Sequence, residues 1–202
     1  MLSKGLLEIE PRYQIIFWSS VLNGIGGRFA QVGAFALLYL LTESGIALGI
    51  LMALRVLPTI LFAPVSGYLA DRFHKAKLLL WTDYLRAPFA LLPLWAASTE
   101  QLWLLYLSSF VIASGEAVYR PIRFAIIPDI VRKKNLTTVN GLEQNIIGVT
   151  LVFGSLLGGI IAFISDVNVL FFFHTVFLLC AAFLMVRLTK KMILCSMLKP
   201  RL

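Results

Sequence analysis

The sequence predicts an all-α integral membrane protein, with six transmembrane helices in one bundle. Three observations carry this. Of 202 residues, 59% are hydrophobic and only 14% are charged, and the mean hydropathy is +0.88. A soluble domain has about 45–50% apolar and about 25% charged residues. The apolar residues fall in six blocks, each long enough for a helix to cross a hydrocarbon layer of about 30 Å. Finally, Lys and Arg collect in alternate connections between these blocks, where a topology signal would put them.

Taken in order, residues 1–12 read as a short amphipathic lead-in. Glu8, Glu10 and Arg12 interrupt it before the first apolar block, which makes a poor signal peptide. That block covers about 13–41 and turns at Glu43-Ser44-Gly45. The second, about 46–70, ends at Asp71 and is followed by a basic loop over 71–77. The third, about 78–97, contains Pro88 and Pro93. A membrane helix tolerates such prolines where neighbours satisfy the freed carbonyls. After Ser98–Gln101 comes the fourth block, about 102–122, then a polar connection over 123–140 with the run Arg132-Lys133-Lys134. The fifth and sixth blocks cover about 141–164 and 168–187. The bundle thus occupies 1–190, and 191–202 form a short basic tail.

Fifteen of the eighteen Lys and Arg lie in the lead-in, the 71–77 loop, the 120–140 connection and the stretch from Arg187 onward. The other three turns hold none, and each carries one acid, Glu43, Glu100 or Asp166. The positive-inside rule then places both termini in the cytoplasm. The net charge of +8 has this origin and does not point to nucleic acid. Cys180 and Cys195 form no disulfide framework, and His74 and His174 have no ligand-spaced companions. The sequence predicts no metal and no cofactor. With no phosphate-binding loop, nucleophile elbow or paired catalytic acids, nothing argues for an enzyme.

An ionisable group inside a span costs about 2.5–3.5 kcal/mol on insertion scales. Five such residues stand out: Arg28, Arg55, Asp83, Arg86 and Glu116. Gly24, Arg28 and Gln31 share one helix face, with Asn23 beside them. This stripe reads either as the wall of a water-filled cavity touching a polar or anionic substrate, or as an Arg held by a neighbouring helix. Asp83 and Arg86, three apart, suit an intrahelical ion pair. Glu116 precedes Tyr119, Arg120 and Arg123 on one face. It reads as the i+4 partner of Arg120 or as a proton carrier. Arg55 receives no role. Gly154 and Gly158, followed by Gly159, form a small-residue face that lets helices approach closely.

The stretch Gly67-Tyr-Leu-Ala-Asp71-Arg72-Phe-His-Lys75-Ala-Lys77 resembles motif A of the major facilitator superfamily, with His74 where a second Gly is usual. Residues 119–131 with Asn140-Gly141-Leu142, and the run 42–58, resemble its macrolide- and siderophore-efflux branch. Gly154-Ser-Leu-Leu-Gly158-Gly159 resembles the antiporter motif of the fifth span, with Ser155 in place of proline. Gly26-Gly27 stands where many relatives have Gly-Asp.

The resemblance covers about 13–190. It implies a bundle of two inverted three-helix repeats, matching the first of two such bundles, in a bacterial cytoplasmic (inner) membrane. It implies a secondary transporter that exports a small drug-like or siderophore-like molecule by alternating access. Partners would be membrane lipid, the solute, a proton, and a second six-helix half or a second copy. Gly67, Asp71, Arg72, Lys75, Lys77 and Asp129 would form a cytoplasmic gate, while Asn23, Arg28, Gln31 and Glu116 would line the substrate cavity. Two alternatives stand beside this reading: a truncated or split fragment without transport of its own, and half of a lysophospholipid-type transporter.

Overall fold

The structure is a computed structural model that describes the backbone of residues 11–198 and the side chains of 11–190. The lead-in up to residue 10 and the end of the tail lie outside the described residues. The described residues form seven α-helices: α1 (Pro11–Thr42), α2 (Gly45–Arg72), α3 (Lys75–Ala90), α4 (Leu92–Thr99), α5 (Leu102–Ile130), α6 (Leu136–Ile164) and α7 (Asn168–Leu198). A single 3-10 turn, Lys133–Asn135, joins α5 to α6. Among the described residues there is no strand. Helices α1, α2, α5, α6 and α7 are long and apolar enough to cross a membrane, and α3 with α4 together reach the same length.

The acidic turns are sharp for local reasons. Glu43 and Glu100 adopt left-handed backbone angles (φ 48° and 56°) and stop α1 and α4. Ser44 then caps α2 by accepting the Ala47 amide. Asp166 Oδ1 accepts the Asn168 amide at 2.9 Å, which opens α7.

The α3–α4 break at Leu91 has a specific cause. Pro93 has no amide to give the Phe89 carbonyl four residues earlier. Ser108 of α5 supplies the missing donor, with Oγ 2.8 Å from Phe89 O. Thr175 of α7 donates to the Ala90 carbonyl at 3.5 Å.

The packing repeats itself. Helix α1 lies mainly against α7 and α6, while α5 lies mainly against α3 and α2. Exchanging α1, α2 and α3/α4 for α5, α6 and α7 maps one set of contacts onto the other, as two three-helix repeats require. Packing of α3 on α7 joins the two sets.

Two apolar clusters close the bundle at its ends. Tyr13, Ile16, Leu79, Ile122, Ile126 and Met185 fill the end that carries the basic loops. Leu37, Leu38, Leu51, Leu105 and Phe171 fill the other. Between them the interior carries buried polar groups, Ser20, Asp83 and Arg86, beside a small apolar cluster of Ala90, Ile112 and Leu178. Large apolar side chains such as Trp18, Ile60, Trp95 and Phe163 face outward. This inverts the pattern of a water-soluble domain and suits hydrocarbon surroundings.

The expected 123–140 connection is largely helical. Helix α5 continues to Ile130 because Ile126, Ile127 and Ile130 are buried in the core. Helix α7 also runs on to Leu198, into the expected tail.

Candidate functional site

The polar middle of the bundle opens into a cavity of about 100 Å³. Helix α1 supplies Asn23, Arg28 and Gln31, α2 supplies Arg55, and α5 supplies Glu116 and Arg120. The four residues read from the sequence as cavity candidates are thus brought together at one place.

Small residues create the space. A Cβ on Gly24 would stand 2.9 Å from Thr150 of α6. A Cβ on Gly154 would stand 3.0 Å from the Cβ of Arg28. The α1–α6 seam is therefore a close backbone approach. Arg28 leans along its own helix, where Nη1 donates to Gln31 Oε1 at 2.8 Å.

Of the sequence-derived packing glycines, Gly154 and Gly158 face α1, the latter 3.4 Å (as Cβ) from Phe29 and Val32. Gly159 meets nothing within 4 Å and is no packing point within the described chain.

Two of the arginines around the cavity are paired with buried acids. Arg86 pairs with Asp83 and donates to Thr82 O at 3.2 Å and to Asn23 Oδ1 at 3.3 Å. It also stacks on the Tyr119 ring, 5.2 Å from the centroid. Gly115 makes room for it, because a Cβ there would overlap the aliphatic stem of Arg86. Arg123 of α5 meets Glu143 of α6 at 3.1 Å, and Tyr13 of α1 donates to the same carboxylate at 3.0 Å. All three side chains are buried, so this triad ties three helices together by one ion pair and one hydrogen bond to a charged acceptor.

The other three cations differ. Among the described residues Arg28, Arg55 and Arg120 make no ion pair within 4 Å. Glu116 does not pair with Arg120, against one of the two sequence readings. Its Oε1 lies over Gly27, only 3.0 Å from where a Cβ would be. The absence of a side chain at position 27 opens that place, while Arg120 stays exposed.

At the basic end, Lys75 of α3 meets Asp129 of α5 at 2.7 Å and donates also to Ala125 O at 3.0 Å. The remaining motif residues are not gathered there. Asp71, Arg72 and Lys77 are exposed, and Arg72 stacks on Tyr68 at 4.7 Å. A Cβ on Gly67 would meet open space, so it too is no packing point within the described chain.

Sequence reasoning missed Glu143, Gly115 and Tyr13. Glu143 lies within the fifth apolar block, where an acid is as costly as the five residues singled out. That cost was the available signal.

A bundle of membrane-length helices with a polar, cation-lined cavity at mid-depth is the architecture of a solute transporter. The chain matches the family model of the Major Facilitator Superfamily over residues 13–192, and it belongs to that family. It is an integral, multi-pass membrane protein of a transporter family.

Its relatives include efflux proteins. The tetracycline resistance protein, class H, of Pasteurella multocida is 31% identical over 160 residues, covering 75% of this chain and 38% of that protein. The putative bacilysin exporter BacE of Bacillus amyloliquefaciens is 23% identical over 182 residues, covering 90% and 45%. Macrolide efflux protein A of Streptococcus pyogenes is 25% identical over 138 residues, covering 66% and 34%. The chain spans less than half the length of these relatives. Among solved structures, the POT family transporter PepTSo superimposes with a TM-score of 0.69 at 18% identity, over 88% of this chain and 37% of that one. At that identity the likeness speaks for the fold alone.

Proposed function

We propose that this chain is one bundle of a secondary efflux transporter, and that the cavity between α1, α2 and α5 takes a small organic solute during alternating access. The observation that carries this reading is the cavity itself. Asn23, Arg28, Gln31 and Glu116 converge on it from two helices, although each is costly to keep in a membrane span. Efflux relatives support the direction of transport. The positive-inside bias supports cytoplasmic placement of the basic end, in a bacterial inner membrane.

A second six-helix bundle, either another copy or a partner half, would complete the solute path. Its docking face would include α2 and α6. Gly49 and Gly67 on α2, and Gly141, Gly148 and Gly159 on α6, would each meet nothing within 4 Å if given a Cβ. The helix period puts each set on one stripe. Lys75 and Asp129 would then form a gate at the cytoplasmic end, to which Asp71 and Arg72 at the exposed end of α2 would contribute against the second bundle. Glu116 is the candidate for proton coupling.

The test is accumulation of tetracycline, a macrolide and bacilysin in bacteria lacking their own efflux pumps, with bifunctional cross-linking through Gly49→Cys. Reduced accumulation of one compound together with a cross-linked pair of bundles is expected. Unchanged accumulation of all three, with the protein present in the membrane as a monomer, would overturn the proposal.

A further inference from the structure

We infer that the solute carries an oxyanion, a carboxylate or a phosphate monoester, and that Arg28 and Arg55 receive it, with Arg120 at the rim. This deepens the proposed function and rests on the reading of the cavity as the solute site. The argument is one of charge balance. Five arginines border the cavity. Arg86 and Arg123 are neutralised inside the protein by Asp83 and Glu143. Arg28, Arg55 and Arg120 have no such partner among the described residues, and the only carboxylate lining the same space is Glu116. Three guanidiniums against one carboxylate give the cavity a cationic lining.

Arg28 and Arg55 are half-buried and Arg120 is exposed, so this excess positive charge is only partly screened by solvent and favours an anion in the cavity. Arg28 donates one N–H to a neutral amide oxygen, Gln31 Oε1, which leaves other donors of its planar fork free for a bidentate oxyanion. The two engaged arginines matter as well. Because they are fixed by buried acids, they hold the wall of the cavity and do not compete for the ligand. A cation would face three like charges and gain only Glu116. A neutral solute would leave the excess charge uncompensated.

The test uses the full chain in phosphatidylcholine nanodiscs and three ligands of one shape: benzoate, benzamide and benzamidine. Phenylglyoxal labels accessible, unpaired guanidiniums, and mass spectrometry reads the labelling at Arg28 and Arg55. Labelling of both without ligand, and protection by benzoate alone, is the expected result. Arg28→Gln should weaken benzoate protection of Arg55 about tenfold or more, the loss expected from one charge-assisted contact. Glu116→Gln, which removes the opposing charge, should strengthen protection severalfold and serves as a variant that gains function.

Equal protection by benzamide or benzamidine would overturn the anion assignment while leaving the cavity as a binding site. No protection by any ligand, with Arg28 reactive, would overturn the cavity reading as well. An Arg28 that resists phenylglyoxal without ligand would show its charge already paired and overturn the inference. A parallel arm adds phosphatidylglycerol to the nanodiscs. Protection by that lipid alone would identify a headgroup, not a small solute, as the occupant, and would overturn the assignment.

Discussion

Gly154 and Arg28 touch across the seam between α1 and α6: a Cβ at position 154 would lie 3.0 Å from the Cβ of Arg28 and 3.1 Å from its Cγ. The packing glycine and the cavity arginine are therefore one device. The glycine sets how far Arg28 stands from α6, and so where its guanidinium reaches. Gly154→Leu should push α1 away, destabilise the bundle by about 1–3 kcal/mol through overpacking, and reduce ligand protection of Arg28. Gly159→Leu is the control, since its neighbourhood is open. Thermal unfolding in detergent and the labelling assay read both effects.

The Tyr13–Glu143–Arg123 triad should behave as a buried ion pair. Glu143→Gln strands the Arg123 charge, and such a break costs about 3–5 kcal/mol. The double variant Glu143→Gln with Arg123→Gln should be less destabilised than the sum of the single ones, with a coupling of about 1–3 kcal/mol. Tyr13→Phe removes one hydrogen bond to a charged acceptor, worth about 1.5–3 kcal/mol. A double-mutant cycle on chemical denaturation in micelles checks all three values.

Ser108 is the donor that makes the break at Leu91 tolerable. Ser108→Ala leaves the part-buried Phe89 carbonyl without its side-chain donor, at a cost of up to about 1 kcal/mol. Pro93→Ala returns an amide to that carbonyl. The pair Ser108→Ala with Pro93→Ala should accordingly recover most of the loss. Equal destabilisation of the single and double variants would show that Ser108 does not act through Phe89.

Lys75 and Asp129 are half-exposed to well exposed (side chains 26% and 50%), so their pair should add less than about 1 kcal/mol to stability. Its proposed value lies in gating. Lys75→Gln should leave the melting temperature nearly unchanged yet alter transport, and the exchange Lys75→Asp with Asp129→Lys should restore part of the activity. Loss of stability without change in transport would contradict a gate.

These relationships differ in how far they could be read from the chain alone. Arg28–Gln31 and Asp83–Arg86 were legible because each pair is three apart on one helix and each charge is expensive in a span. The membrane architecture was legible from block length and the placement of Lys and Arg. Glu116 and Arg120 also have pair spacing, yet Gly27, on another helix, opens the place the carboxylate takes. Spacing along one helix carries no information about such a neighbour. The same limit hid the triad. Arg123 read as the start of a loop at the end of an apolar block, and only its partner on α6 makes burial there possible. Gly67 read as part of the gate from its motif, yet a Cβ there would meet nothing within 4 Å in the described chain.

The central claim, that this cavity is the solute path of a transporter, is tested most directly by solute loss from preloaded proteoliposomes containing the purified chain. A panel of small organic anions and cations is followed by mass spectrometry for wild type and Arg28→Gln. The account predicts that at least one anion leaves faster than from empty liposomes, and that Arg28→Gln slows it by about tenfold or more. Wild-type rates no faster than those of empty liposomes, or an Arg28→Gln rate equal to wild type, would contradict it.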